Sequence, residues 1–486
     1  MKKITFVISE ARLHEHLSIM ALSASLKNAG HETSLVFFQN DPLNRDKIVR
    51  EIKKENPDFI AFSFMSCVKK HYVDLGNYIK QHMDVPIVIG GPAATFDPDL
   101  CNFNNNPFDA VCIGEGDISV VNFVNEYHSD ENSKSLPNFV TKSGNGGQLR
   151  GELLNLIDPL DQLPFPDRKI IYDKDDFLRN SKIKMFMSGR GCPYQCTYCF
   201  NHKYNAMYRG KGLIIRHKTV DYFLDEILAI KKDYPMEGII FEDDIFIINK
   251  EWLAEFSEKY PKRVGLPYMC YVRPNLVTEQ IAKLLKISGC YSVRVAIECG
   301  NEPLRNKILK RNLSDEQILK SCHVLHEEGL KVGTINILGL PTETVENMKE
   351  TLNLNRACKP EHVSANLFMP LPGVDLTFFA IEHSLLDKDF VSPKSSHHTS
   401  EMKYPEDIKR FLYPFKGLFP LLVRKKYMDN IAPFLMRLPK PLLKIIDSGY
   451  RLYSNSRFYP RVRFSILDKW RPCAVILPLF QDKTIR

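Results

Sequence analysis

Short, unbroken apolar runs separated by amphipathic stretches are the feature that most restricts how this chain can fold, and they occur in two series. The first series comprises residues 4–9 (ITFVIS), 59–64 (FIAFSF), 86–91 (PIVIGG) and 110–114 (AVCIG). Continuous apolar runs of this length suit strands buried on both faces of a parallel sheet, because a strand with one wet face would alternate instead. Amphipathic stretches at 15–29, 45–55, 70–82 and 118–127 lie between them and supply the crossover helices. Strand and helix in alternation predict a doubly wound α/β domain over residues 1–135.

Residues 136–182 break the pattern. DENSK, SGNGG and DPLDQLPFPDR, in and just before this stretch, are turn-rich, and the segment reads as a linker. The second series then begins, with expected strands at 183–189, 238–244, 267–273, 292–299, 331–339 and 362–369. Expected helices at 219–233, 250–260, 277–289, 314–328 and 343–357 separate them. Six βα units predict a partial or full parallel barrel over 183–380, with ligands at the C-terminal strand ends. A length of 486 residues, 44% of them hydrophobic, accommodates two or three such domains. The opening MKKITFVIS carries too short an apolar stretch for a secretory signal, and no window reaches the roughly 18 apolar residues of a membrane-spanning helix. A cytoplasmic location is the expectation.

Twelve cysteines are many for such a location, where clustered cysteines more often bind metal than form disulfides. Nine are scattered and read as small buried hydrophobes. The other three stand in Arg-Gly-Cys-Pro-Tyr-Gln-Cys-Thr-Tyr-Cys-Phe-Asn (190–201), directly after the first barrel strand. Cys192, Cys196 and Cys199, spaced C-x3-C-x2-C, can ligate three irons of a four-iron, four-sulfur (4Fe-4S) cluster and leave the fourth iron open. An open position marks a catalytic metal centre, as opposed to a closed structural one. The alternative is a zinc site with His202 as a fourth ligand, which would make the chain a zinc-stabilised RNA-binding protein.

With this motif after the first of six strands, residues 183–375 resemble the radical S-adenosylmethionine (SAM) superfamily. The resemblance implies a 4Fe-4S cluster on Cys192, Cys196 and Cys199, which are then the catalytic residues and the metal ligands. It also implies SAM on the open iron. Tyr198 matches the aromatic residue that the family sets against the adenine. Glu242, Asp243 and Asp244 match an acidic cluster of one branch at the second strand end. Glu298, in Ala-Ile-Glu-Cys-Gly, matches the ribose acceptor. Gly339 and Glu343, in Gly-Leu-Pro-Thr-Glu-Thr, match a segment that packs on adenine, and Pro-Leu-Pro-Gly (370–373) matches a sixth-strand motif.

The first domain resembles the flavodoxin-like cobalamin-binding domain of class B methyltransferase-like radical enzymes. Gly90-Gly91-Pro92-Ala93-Ala94-Thr95 and Ile113-Gly114-Glu115-Gly116-Asp117 carry the likeness. It implies cobalamin contacts from Ser63, Gly90, Gly91, Gly114, Glu115 and Gly116. No Asp-x-His-x-x-Gly is present, so no histidine is expected beneath the cobalt. His14-Glu15-His16-Leu17 replaces the usual Pro-Pro-Leu-Gly. The implied activity is methylation of an unactivated carbon, with radical cyclisation or carbon–carbon coupling without net methylation as the alternative. A low-potential electron donor, flavodoxin or ferredoxin, is implied as partner.

Net charge is +8, but residues 401–486 alone hold 18 Lys plus Arg against 7 Asp plus Glu. Within this basic, aromatic and mostly helical region (381–486), FLYPFKGLFPLLVRKK and IAPFLMRLPKPLLKII interleave cations with large apolar residues. Peripheral contact with the inner membrane face is the first expectation, and a small-molecule or lipid-like substrate accords with it. A helical cap over the barrel is the alternative, and nucleic-acid binding is disfavoured.

Overall fold

The structure, a computed structural model, describes residues 1–9, 15–38, 44–127, 135–142, 147–393 and 400–458. The first domain is built on a seven-stranded sheet: β1 (Lys3–Ser9), β2 (Glu32–Phe38), β3 (Phe59–Ser63), β4 (Ile87–Gly90), β5 (Ala110–Cys112), β6 (Phe139–Lys142) and β7 (Gln148–Arg150). Its order is β2-β1-β3-β4-β5-β6-β7. The first five strands are parallel, and β6 and β7 run antiparallel at the edge. Ile19, Met20, Leu26 and Phe123 cover one face of the sheet, and Ile48, Ile52, Leu75 and Ile79 the other. Helices on both faces make the domain doubly wound.

Two features differ from expectation. The apolar runs do not include β2, an edge strand whose first half (Glu-Thr-Ser) is partly exposed and polar. And residues 136–182 are more than a linker, since β6 and β7 extend the first sheet and the remainder packs as a brace. Asp167 accepts hydrogen bonds from Ser23 Oγ and Lys27 Nζ, both at 2.6 Å. Buried Arg168 forms an ion pair with buried Glu15, Tyr172 donates to Glu15 at 2.8 Å, and Arg168 donates to Met185 O at 2.7 Å. Glu15 belongs to the segment that opens the first helix, and Met185 to the first barrel strand, so the brace joins the two domains.

The second domain is a six-stranded, all-parallel sheet of β8 (Ile183–Phe186), β11 (Gly238–Phe241), β12 (Tyr268–Val272), β13 (Cys290–Glu298), β14 (Lys331–Leu338) and β15 (His362–Leu367) in that spatial order. β8 and β15 do not pair, so the barrel is partial. A short antiparallel pair, β9 (Gly189–Arg190) with β10 (Arg216–His217), flanks it. Five helices begin where a polar side chain caps the first free N–H groups, with Thr219, Asn249, Thr278, Ser314 and Thr344 as caps. Their apolar faces bury Phe223, Leu253, Phe256, Ile281 and Leu325 against the outside of the sheet.

The C-terminal region corrects one expectation in part. Helix Glu406–Arg424, which includes most of FLYPFKGLFPLLVRKK, is not free to lie on another surface. It buries Leu412, Phe415, Leu418, Phe419 and Leu422 against β15 and helix Val345–Cys358. Arg356 fastens it by donating to Leu422 O and pairing with Asp429. A second helix, Lys440–Phe458, runs back and seats Phe458 inside the half-barrel on Ile240 and Met269. Among the described residues no helix is long and apolar enough to cross a membrane. The stretch SRFYPRVRFSILDKW lies, apart from its first residues, outside the described residues.

Candidate active site

The cluster motif occupies the loop between β9 and helix Asn201–Met207. Gly191 enters it at φ +99°, and a Cβ there would lie 2.0 Å from Ile214 O, so only glycine fits. The loop is pinned to the turn after β13 by Thr197, which donates from N to Leu309 O and from Oγ1 to Ile308 O. Asn205 donates to Cys192 O at 2.8 Å, and Leu376 N donates to Thr197 O at 2.9 Å. Cys196 is buried, and Cys192 and Cys199 are half-buried. Burial pushes the Cys192 thiol up to about 11 and the Cys199 thiol up to about 12. Cluster binding would therefore release protons from the thiols as they become thiolate ligands.

These residues fit a cluster better than zinc. One ring nitrogen of the proposed fourth zinc ligand is engaged elsewhere, His202 Nδ1 at 2.8 Å from Cys199 O, and its Nε2 lies 3.0 Å from Asp375 Oδ2. A buried cation also attends the thiols. Arg273, stacked 3.6 Å from the centre of the Tyr194 ring, points Nη1 at Cys196 Sγ, 3.8 Å away.

Tyr198 and Glu298 meet at the end of β13, where Tyr198 OH donates to Glu298 Oε1 at 3.2 Å. Arg311 donates to Tyr198 OH and lies 3.7 Å from Glu298. Glu298 follows a register shift against β14 and has φ +67°, a conformation that non-glycine residues adopt at a cost. Such strain turns the carboxylate out of the ladder and toward the cysteine loop. Burial raises its pKa, offset in part by Arg311 and Tyr198.

The acidic run at the end of β11 is divided. Asp243 is buried and accepts from Ser188 N, Ser188 Oγ (2.7 Å) and Gly189 N (2.7 Å). Its carboxylate thus clamps the chain that leads into the cysteine loop, and burial lifts its pKa to about 6. Glu242 is half-buried, with Arg294 as the nearest compensating charge, and Asp244 is exposed and bonded to Asn201. Gly339 and Glu343 form one closed turn, in which Glu343 Oε2 accepts from Gly339 N (2.6 Å) and Leu340 N (3.1 Å). Buried with no cation beside it, the Glu343 carboxyl is pushed up to about 8.

At the C-terminal edge of the first sheet, a cavity of about 330 Å³ brings together all six residues expected there: Ser63, Gly90, Gly91, Gly114, Glu115 and Gly116. Phe6, Leu17, Leu22 and Phe139 make it largely apolar, and Met187, Gly189, Arg190, Lys218 and Glu226 of the second domain close it. It lies where the strand order reverses around β1 and β3, the usual ligand crevice of such sheets. Glycine backbone and apolar walls fit the flat heteroaromatic tail of a corrinoid. Gly114 has φ +80°, and a Cβ there would strike the Tyr208 hydroxyl at 2.0 Å.

The two sites share a wall. Arg190, two residues before Cys192, donates to both oxygens of Asp117 at 2.8 and 3.0 Å and lies 3.4 Å from Glu115. Buried Arg216, opposite it on β10, donates to Glu115 at 2.7 and 3.0 Å. Burial alone would raise the Glu115 pKa, but Arg216 and Arg190 outweigh it and hold the carboxyl below its usual value; Asp117 behaves in the same way. Glu115 is therefore a bridge between domains as well as a wall of the cavity. Arg190, Arg216, Arg273, Arg311 and Asp117 were not singled out from the sequence. The local signals were the position of Arg190 two residues before the first cysteine and of Asp117 directly after Gly-Glu-Gly.

Comparison with known proteins agrees with this division. The family model of the B12 binding domain matches residues 5–124, and that of the Radical SAM superfamily matches residues 186–354. The chain belongs to the radical SAM superfamily. It is a radical SAM enzyme with an N-terminal B12-binding domain and lies among cobalamin-dependent, methyltransferase-like members. An uncharacterized methyltransferase of Pyrococcus horikoshii is 24% identical over 371 residues, 76% of this chain and 79% of that one. The anaerobic magnesium-protoporphyrin IX monomethyl ester cyclase of Rubrivivax gelatinosus is 24% identical over 74% of this chain and 65% of its own length. Among solved structures, the radical SAM methyltransferase TsrM of Kitasatospora setae, with cobalamin and a [4Fe-4S] cluster bound, superposes with a TM-score of 0.63 at 15% identity. That match covers 79% of this chain and 75% of TsrM.

Proposed function

We propose that this radical SAM enzyme methylates an unactivated carbon of a hydrophobic, lipid-like substrate. The cluster would be held by Cys192, Cys196 and Cys199, SAM would bind beside Tyr198, Glu242 and Glu298, and a corrinoid would occupy the cavity above β1, β3, β4 and β5. When bound, these groups supply one-electron cleavage of SAM to a 5′-deoxyadenosyl radical and a transferable methyl group. The observation that carries the reading is the shared wall: the corrinoid cavity reaches Gly189 and Arg190, immediately before the cysteine loop.

The chain's own residues supply geometry and exclusion. Asp243 and Thr197 fix the cysteine loop on two sides. Arg273 places positive charge beside Cys196. Glu298, turned out of the ladder, presents an acceptor suited to a ribose hydroxyl, and Arg311 keeps it oriented. Leu304, Leu340, Phe368, Leu376 and Met402 form a buried apolar cluster against which Tyr198 packs. Such an apolar backing helps keep water from a radical formed beside Tyr198. A low-potential flavodoxin or ferredoxin would deliver the electron.

Radical ring closure without net methylation is the second reading, and the similarity to the Rubrivivax cyclase favours it. Anaerobic reconstitution with iron, sulfide, cobalamin, SAM and candidate lipids separates the two. Methylation yields S-adenosylhomocysteine together with 5′-deoxyadenosine, whereas ring closure yields only 5′-deoxyadenosine. A preparation that holds no iron, or that holds a cluster and never cleaves SAM under strong reductant, refutes both.

A further inference from the structure

Beyond the chemistry of the barrel, we propose that residues 425–445 form a docking surface for an anionic lipid bilayer. Large apolar side chains are exposed here to an extent seen nowhere else in the described chain. Tyr427, Ile431, Phe434, Leu442 and Ile445 are 68, 45, 69, 47 and 62% exposed within nineteen residues. Single exposed hydrophobes need no explanation, but five of them within nineteen residues mark an interaction surface.

Charge selects the occupant. Residues 425–445 contain Lys425, Lys426, Arg437, Lys440 and Lys444 against one carboxylate, Asp429. Asp429 is paired with Arg356, which neutralises it. Lys425, Lys426, Arg437 and Lys444 are exposed, and no ion pair to them exists among the described residues. Aromatic and aliphatic side chains interleaved with unpaired cations match the boundary between anionic headgroups and acyl chains. A second copy of this chain would bring like charges together, which disfavours self-association through the same surface.

The surface is also held rigidly. Leu443 is buried beneath Leu442 and Lys444, and the helix that carries them ends at Phe458, fully buried within the half-barrel beside His362. Thirteen helical steps separate Ile445 from Phe458, about 20 Å. Docking would therefore set the open half-barrel close to the bilayer.

The test is flotation of the full-length protein with vesicles, without SAM or reductant, so the outcome is independent of the proposed chemistry. Phosphatidylcholine vesicles containing phosphatidylglycerol should carry the protein, and phosphatidylcholine alone should not. High salt should release it. Lys425→Gln with Lys426→Gln should lower partitioning about 25-fold, at about fivefold per cation. Phe434→Ser with Ile445→Ser should lower it further at unchanged thermal stability, since neither side chain is packed. Absence from anionic vesicles, equal partitioning of the variants, or a dimer that dissociates in Phe434→Ser would overturn the proposal. So would binding to single-stranded RNA with vesicles left untouched.

Discussion

Substitution of Arg216 tests whether the two domains are locked together by charge. Arg216 is buried on β10 and donates two hydrogen bonds to Glu115 and a third to Ile157 O at 2.9 Å. Arg216→Met keeps the bulk and removes the charge, so Glu115 is left buried with Arg190 at 3.4 Å as its remaining cation. Breaking a buried pair from one side costs about 3–5 kcal/mol, because an uncompensated charge remains. With Arg190 still near, the lower end applies, about 3 kcal/mol. At a denaturant slope of about 3 kcal/mol/M, the urea midpoint should fall by about 1 M. The buried Trp252, in the barrel core, reports the transition through its fluorescence. The double variant Glu115→Gln, Arg216→Met should recover at least about 1 kcal/mol, because it removes the stranded charge as well as the pair. A midpoint that moves by less than a third of that 1 M in Arg216→Met, or a double variant as unstable as the sum of the singles, would refute the reasoning. The pH dependence has a fixed sign. Glu115 and Asp117 are held below their usual values, so the stability they contribute is present above about pH 4.5 and disappears as pH falls through the folded values.

Other outcomes follow from the same geometry. Glu343 has a folded pKa of about 8, well above an ordinary carboxyl, so its contribution to stability is complete below about pH 4.5 and is lost as pH rises through 8; Glu343→Gln, which mimics the protonated acid, should match the parent Tm near pH 4.5, exceed it at neutral pH and flatten its fall toward pH 8. Alanine at Cys192, Cys196 or Cys199 should abolish bound iron and brown colour after anaerobic reconstitution while the far-ultraviolet circular dichroism stays native. Gly191→Ala should lower iron content severalfold with all three cysteines intact, because its Cβ meets Ile214 O; iron content equal to that of the unaltered protein would show that the loop has slack. Tyr208→Phe should weaken cobalamin binding without altering iron content, since the Tyr208 hydroxyl accepts from Glu115 N at 3.0 Å and holds the cavity wall in place.

The extent to which the sequence was legible varied with the range of the interactions involved. Barrel strands and helices were readable because each is a local pattern. The expected helix at 219–233 is observed as Val220–Asp233, and the one at 343–357 as Val345–Cys358. Cluster ligation is local too, since three thiols within eight residues need only one loop. Cys192, Cys196, Cys199, Tyr198 and Glu298 were therefore nameable from motif alone, and the structure brings Glu298 to the cysteine loop. Asp243 was nameable but not its orientation, because whether a carboxylate faces a ligand or the backbone of Ser188 depends on a neighbouring strand.

The sequence alone determined the two α/β units, their order, the cysteine loop and the glycine-rich edge of the first sheet, because period, apolar run length and short motifs are properties of contiguous residues. Only the tertiary structure decided that 139–150 extends the first sheet, and that the tail's first helix is a buried cap. It alone joined Glu115 and Asp117 to Arg190 and Arg216 across 73 to 101 residues of chain. An ion pair between distant residues leaves no periodic trace in the sequence, and a buried charge is identified by its partner only once the chain has folded around both.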